Sequence, residues 1–125
     1  MDASLDHRVG ALDCGKELSD VDLAAAIALV EKLDSNAHTL ACFRRKDDRT
    51  LMIGGGPQRT VVGLIDPDGN SSTLCGDGSG PRVALCAGGQ WADFEAGDTV
   101  ERSWAIECLR RFFAGDEQSL GWRPD

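Results

Sequence analysis

The sequence predicts an α+β domain: an antiparallel, meander-like sheet of five to seven strands, with an N-terminal and a C-terminal helix packed on one face. Three observations predict it. Helical periodicity is confined to two stretches, one near each end of the chain. Between them, from Ala37 to Ala87, short apolar runs alternate with turn signals. The connections between those runs are short, as in chains that join antiparallel neighbours.

Residues 1–6 are expected to be loose. His7 to Cys14 reads as a first strand, broken by Gly15-Lys16. Ser19 followed by Asp22 is an N-cap pattern and opens a helix from about Asp20 to Leu33. Leu23, Ala26, Ile27, Val30 and Leu33 form its apolar face, and the run Ala24-Ala25-Ala26 suits close packing. Strands follow at His38 to Arg45, Thr50 to Gly54, Thr60 to Ile65, Ser71 to Cys75 and Arg82 to Ala87. Thr60 to Ile65 is β-branched and nearly all apolar, which predicts a central position. Pro67-Asp68-Gly69-Asn70 is a hairpin turn. Gly88-Gly89 begins a loop that carries Gln90, Trp91, Asp93, Phe94 and Glu95. Asp98 and Glu101 have capping-box spacing, and Val100, Trp104, Ala105, Cys108, Leu109 and Phe112 recur at helical spacing behind them. Gly115 is placed to end that helix in a left-handed cap.

The length of 125 residues fits one domain, 1–125, with a core of its own. The net charge of −8 disfavours nucleic acid and anionic membrane as direct ligands. It would steer a basic protein partner inward. Cys14, Cys42, Cys75, Cys86 and Cys108 are odd in number and dispersed, which reads as unpaired thiols in a reducing cytoplasm. No apolar run is long enough for a membrane span, and Met1 opens no signal-peptide pattern.

The candidate chemistry is sparse. Gly54-Gly55-Gly56 follows a strand, but Pro57 and a second strand come next, where a phosphate loop needs a helix start. Asp66-Pro67-Asp68-Gly69-Asn70 looks like the start of a calcium loop, but Ser71 and Asp77 stand where such a loop needs Gly and Glu. His7 and His38 show no zinc spacing with the cysteines. Cys42, Cys75, Cys86 and Cys108 read as small core residues. No catalytic residue, metal or cofactor is expected. Trp91 differs, because it lies outside every periodic apolar face and is flanked by Gln90, Asp93 and Glu95. It reads either as an interface anchor or as a cover for the end of the core. Trp91, Asp93 and Glu95 are the candidate partner-binding residues, with the acidic turns at Asp66, Asp68 and Asp77 behind them. Those turns also suit plain solvated loops.

From about Val9 to Trp122 the order of features resembles immunity protein family 1 of bacterial polymorphic toxin systems. The carriers are the helix followed by Leu40 to Arg45, then Leu51-Met52-Ile53-Gly54-Gly55-Gly56 running into Val61-Val62, and Gly88-Gly89-Gln90 before the last helix. Phe112-Phe113-Ala114-Gly115 with Leu120-Gly121-Trp122 completes them. The resemblance implies a small cytoplasmic α+β protein that is not an enzyme. It would neutralise a cognate toxin domain, often a nucleic-acid deaminase, by occluding its basic active site. It implies a structural role for Trp122, packed back beside the last helix. The competing expectation is an adaptor or regulatory protein-binding domain unrelated to toxins.

Overall fold

The computed structural model describes residues 1–125 as an α+β fold built on an antiparallel sheet. In chain order the elements are β1 (Asp2–Leu5), β2 (Arg8–Val9), β3 (Leu12–Asp13), β4 (Lys16–Leu18) and α1 (Leu23–Glu31). Then come β5 (Leu40–Arg44), β6 (Thr50–Gly55), β7 (Arg59–Ile65), β8 (Ser71–Leu74), β9 (Val83–Ala87) and β10 (Gln90–Phe94). The chain closes with β11 (Val100–Glu101), α2 (Arg102–Ala114) and β12 (Trp122–Pro124). The main sheet runs β12-β8-β7-β6-β5-β1-β4, and β11 pairs with the Arg59–Thr60 end of β7. Its eight strands exceed the expected five to seven, because β4, β11 and β12 are too short to show any alternation in sequence. Two small hairpins, β2–β3 and β9–β10, stand apart from it. Neither helix is long and apolar enough to cross a membrane.

The core follows from strand alternation. Ala3, Phe43, Leu51 and Leu64 lie in one cross-strand row, and Leu5, Ala41, Ile53 and Val62 in the next. Both rows are buried and form one cluster with Ala26, Leu29 and Val30 of α1 and Ala105, Cys108, Leu109 and Phe112 of α2. The expected central strand β7 is bordered by β6 along one edge and by β8 and β11 along the other.

Several expectations need correction. Residues 1–6 are not loose: Ala3 and Leu5 enter the core, and β1 is clamped between β4 and β5. His7 to Cys14 is not one strand but a hairpin that turns at Gly10–Ala11. The first helix begins later than Asp20, because Asp22 is the residue whose side chain caps it, accepting the Ala25 N–H at 2.8 Å. Ala24 and Ala25 face solvent rather than a packed surface. The capping box at Asp98 does not form. Pairing with Thr60 and Arg59 keeps Val100 and Glu101 extended, so the helix starts at Arg102, and the Asp98 carboxylate instead takes the Arg123 guanidinium at 2.5 Å. The left-handed cap at Gly115 is present.

The C-terminal tail is held by a buried ion pair. Arg45 Nη1 donates to Glu117 Oε1 at 2.6 Å and to the Phe112 carbonyl at 2.6 Å, and the guanidinium lies 4.5 Å from the Phe112 ring centroid. Burial alone would raise the Glu117 carboxyl, but hydrogen bonding and charge from Arg45 outweigh it and keep it below its ordinary value of 4.5. Trp122 Nε1 donates to the Glu117 carbonyl at 2.8 Å, and Trp122 pairs with Leu74 as an edge strand packed on the core. Arg45→Ala strands a buried carboxylate and is expected to cost about 3–5 kcal/mol in urea denaturation. Arg45→Met combined with Glu117→Leu is expected to recover most of that loss. A single variant that behaves like a surface substitution would refute the latch.

Candidate partner-binding surface

The β9–β10 hairpin is built on glycines. Gly88 and Gly89 both have positive φ, at 63° and 80°, so the two-residue turn twists with its strands. Gly54 faces the side of the sheet opposite Ile53, and a Cβ there would sit 2.7 Å from the Ala87 Cβ. Gly54-Gly55-Gly56 is therefore a platform on which β9 lies directly. Leu85 and Cys86 are buried beneath the hairpin and lie outside the main core.

One buried carboxylate ties the hairpins to the sheet. Asp6 Oδ1 accepts the backbone N–H groups of Thr39 at 2.6 Å and Leu40 at 2.9 Å. Asp6 Oδ2 accepts the Thr39 hydroxyl and Arg8 Nε, the latter at 2.8 Å. Thr39 Oγ1 in turn accepts the Gly89 N–H at 3.0 Å. Thus Arg8 of β2 and Gly89 of the β9–β10 turn are both anchored through Asp6 to the start of β5. Ser35 Oγ accepts the Cys86 N–H at 3.3 Å and fixes the outer side of β9. Burial pushes the Asp6 carboxyl up, but the hydrogen bonds from Thr39, Arg8 and Leu40 outweigh it and hold it below its ordinary 3.8. The His7 and His38 rings lie beside this point with centroids 5.0 Å apart and planes tilted by 34°, and His38 Nδ1 lies 2.7 Å from the Asp6 carbonyl. No group of three or more His, Cys, Asp or Glu side chains is placed to hold a metal ion.

The Gly88–Gly97 segment is therefore not the loop expected from the sequence. Gln90–Phe94 is a strand in register with Val83–Ala87, followed by a 3₁₀ turn at Ala96–Asp98. Trp91 projects from it with 65% of its surface exposed, so it does not cover the end of the core. Asp93 is exposed two residues on, where strand alternation returns to the same side. Glu95 follows at the strand exit and pairs with Arg82 at 3.2 Å across open surface. Asp77 accepts the Ser79 N–H at 3.1 Å, and its loop adjoins this exit through the Gly76 N–H, which donates to the Gly97 carbonyl at 2.8 Å. Asp66 and Asp68 lie elsewhere, at the Ile65 end of β7, a strand that spans roughly 20 Å from the end where β11 pairs. Asp66 closes its own turn, accepting from the Asp68 and Asn70 N–H groups at 2.9 Å each, while Asp68 is exposed.

The sequence reading missed Val9 and Leu12, which pair across the β2–β3 hairpin with 55% and 68% of their surfaces exposed. The Gly10–Ala11 turn between them lines a cleft of about 220 Å³ together with Arg8, Asn36 and Trp91. Reading His7 to Cys14 as one strand hid that turn. Trp104, expected in the buried stripe, is 41% exposed, because the face that meets the core is centred on Ala105, Cys108, Leu109 and Phe112 and leaves Trp104 at its margin. The cysteines divide: Cys86 and Cys108 are buried, Cys42 and Cys75 are half-buried, and Cys14 is exposed. Burial pushes the Cys108 thiol up to about 12, aided by the Glu117 charge. That places Cys108 far from nucleophilic use.

Compared with known proteins, the chain matches no family model and no curated protein.

Asp6→Asn is expected to destabilise the fold by about 1–3 kcal/mol at pH 7, because buried donors lose a charged acceptor. Since the folded carboxyl titrates below 3.8, its contribution is full above that value and is lost as pH falls through the lower folded value. The gap between wild type and variant in urea midpoints should therefore narrow as pH falls below 3.8, and a gap that stays constant or widens with acidification contradicts this role.

Proposed function

We propose that this chain is an immunity protein that binds a cognate toxin domain and occludes its active site stoichiometrically in the cytoplasm. The observation that carries the reading is Trp91: a large aromatic side chain, mostly exposed, on a strand that a buried hydrogen-bond chain anchors to the sheet. An anchor held in place before binding loses little conformational freedom on docking. Aromatic anchors of this kind carry a disproportionate share of interface energy. Asp93 and Glu95 beside it, and the net charge of −8, fit a basic partner such as a toxin domain that handles nucleic acid, a deaminase among them. The ordered run from Leu40 to the Leu120-Gly121-Trp122 tail, with its likeness to immunity protein family 1, selects a toxin from among basic partners. In this reading both helices back the sheet from one face and leave the hairpin side free. The domain acts by binding and carries no catalytic residue or cofactor.

The test is calorimetry against the toxin domain encoded by the adjacent gene. Trp91→Ala with Glu95→Lys is expected to weaken binding by about 2–4 kcal/mol while leaving the urea midpoint nearly unchanged, since the Glu95–Arg82 pair is solvent-exposed. Unchanged affinity would place the interface elsewhere.

A further inference from the structure

The free edge of β10 is the feature that the surface described so far leaves unused. β10 pairs with β9 alone. In a two-residue hairpin the residues flanking the turn, Ala87 and Gln90, exchange both hydrogen bonds, so pairs alternate outward from there. Cys86 and Trp91 are then a pair whose backbone groups point away from each other. The Cys86 N–H confirms the phase, because it leaves the hairpin and finds Ser35 Oγ. On the other side, the N–H and C=O groups of Trp91 and Asp93 point outward from β10, where no strand lies.

The two end strands of the main sheet are blunted, and the outer edge of β9 is met by Ser35 Oγ at the Cys86 N–H. β4 is three residues long and carries Lys16 and Glu17, and β12 is equally short and carries Arg123 and Pro124. Lysine, proline and shortness are the usual devices that keep edges from pairing. β10 has five residues, no lysine and no proline, and its first four residues are exposed. Its side chains also select the occupant. Asp93 on the strand and Glu95 at its exit disfavour an acidic strand, and a second copy would add another −8 charge to the pair. A strand carrying Lys or Arg opposite Asp93 gains a cross-strand pair instead.

The geometry points to strand addition: an extended, basic segment of the toxin domain hydrogen-bonds to the outward backbone groups of Trp91 and Asp93 as a third strand on β10. This deepens the toxin-binding reading and rests on it. Main-chain bonds would supply register, with Trp91 packing beside the added strand and Asp93 pairing with its basic residue.

The test uses the catalytically inactivated toxin domain of the adjacent gene. Asp93→Pro deletes the outward N–H but no β9–β10 bond, whereas Asp93→Ala removes only the carboxylate. Asp93→Pro is expected to bind at least tenfold more weakly than Asp93→Ala. Hydrogen exchange on the unmutated protein needs no variant: the Trp91 and Asp93 amides should exchange fast when free and become protected in the complex, while the Ala92 amide is protected in both. A stable complex in which those two amides still exchange fast, with both variants binding alike, overturns strand addition and leaves toxin binding intact. No complex with wild-type protein overturns the toxin reading, and strand addition with it.

Discussion

Asp6 is the constraint on which the proposed binding surface depends. A carboxylate buried this far is tolerable only if its oxygens are fully partnered, and the chain gathers four donors around it. Two are backbone groups at the start of β5, so Asp6 fastens the end of β1 to the centre of the sheet. The others reach outward. Arg8 orients the β2–β3 hairpin, and Thr39 passes the connection on to the β9–β10 turn through the Gly89 N–H. Two hairpins too small to hold a shape alone thereby take fixed positions on the sheet.

The molecule separates its supporting and presenting parts. The helices, the apolar rows of β1 and β5 to β8, and the Arg45–Glu117 latch form one continuous core. The hairpins form a second, smaller layer on Leu85, Cys86 and the glycine platform of β6. Three of the four exposed large apolar side chains, Val9, Leu12 and Trp91, belong to that second layer, and the fourth, Trp104, lies on α2. Apolar groups on a rigid support are what binding requires, because ordering costs are met in folding rather than at the interface.

The strands from Leu40 to Leu74 were legible because each is a short run, mostly apolar in β5 to β7, bounded by a recognisable turn. The last helix was legible in its apolar positions and its Gly115 cap, but not in its start. Glu101 stays extended through pairing with Arg59, a contact 42 residues back in the chain that local spacing cannot reveal. β1 was hidden for a similar reason: two apolar residues make a strand only when β4 and β5 flank them. Trp91, Asp93 and Glu95 were legible as an aromatic among acids. That Trp91 and Asp93 ride a strand, with Glu95 at its exit, was not, although Gly88-Gly89 is a hairpin signal, because Gln90 to Phe94 has no buried face to impose a pattern. Asp6 read as a residue of a loose terminus, since only the folded chain brings it to Thr39.

The central claim is that a buried hydrogen-bond chain sets the position of the binding surface, and Thr39 tests it most directly. Thr39 is wholly buried and cannot touch a partner. Thr39→Val keeps its volume but removes the hydroxyl that links Asp6 to Gly89. The measurement is calorimetric affinity for the adjacent gene's toxin domain, at a temperature where the variant is folded by its urea midpoint. The account predicts a clear loss of affinity, about tenfold or 1.4 kcal/mol, from a residue outside the interface. Wild-type affinity in the folded variant would contradict it.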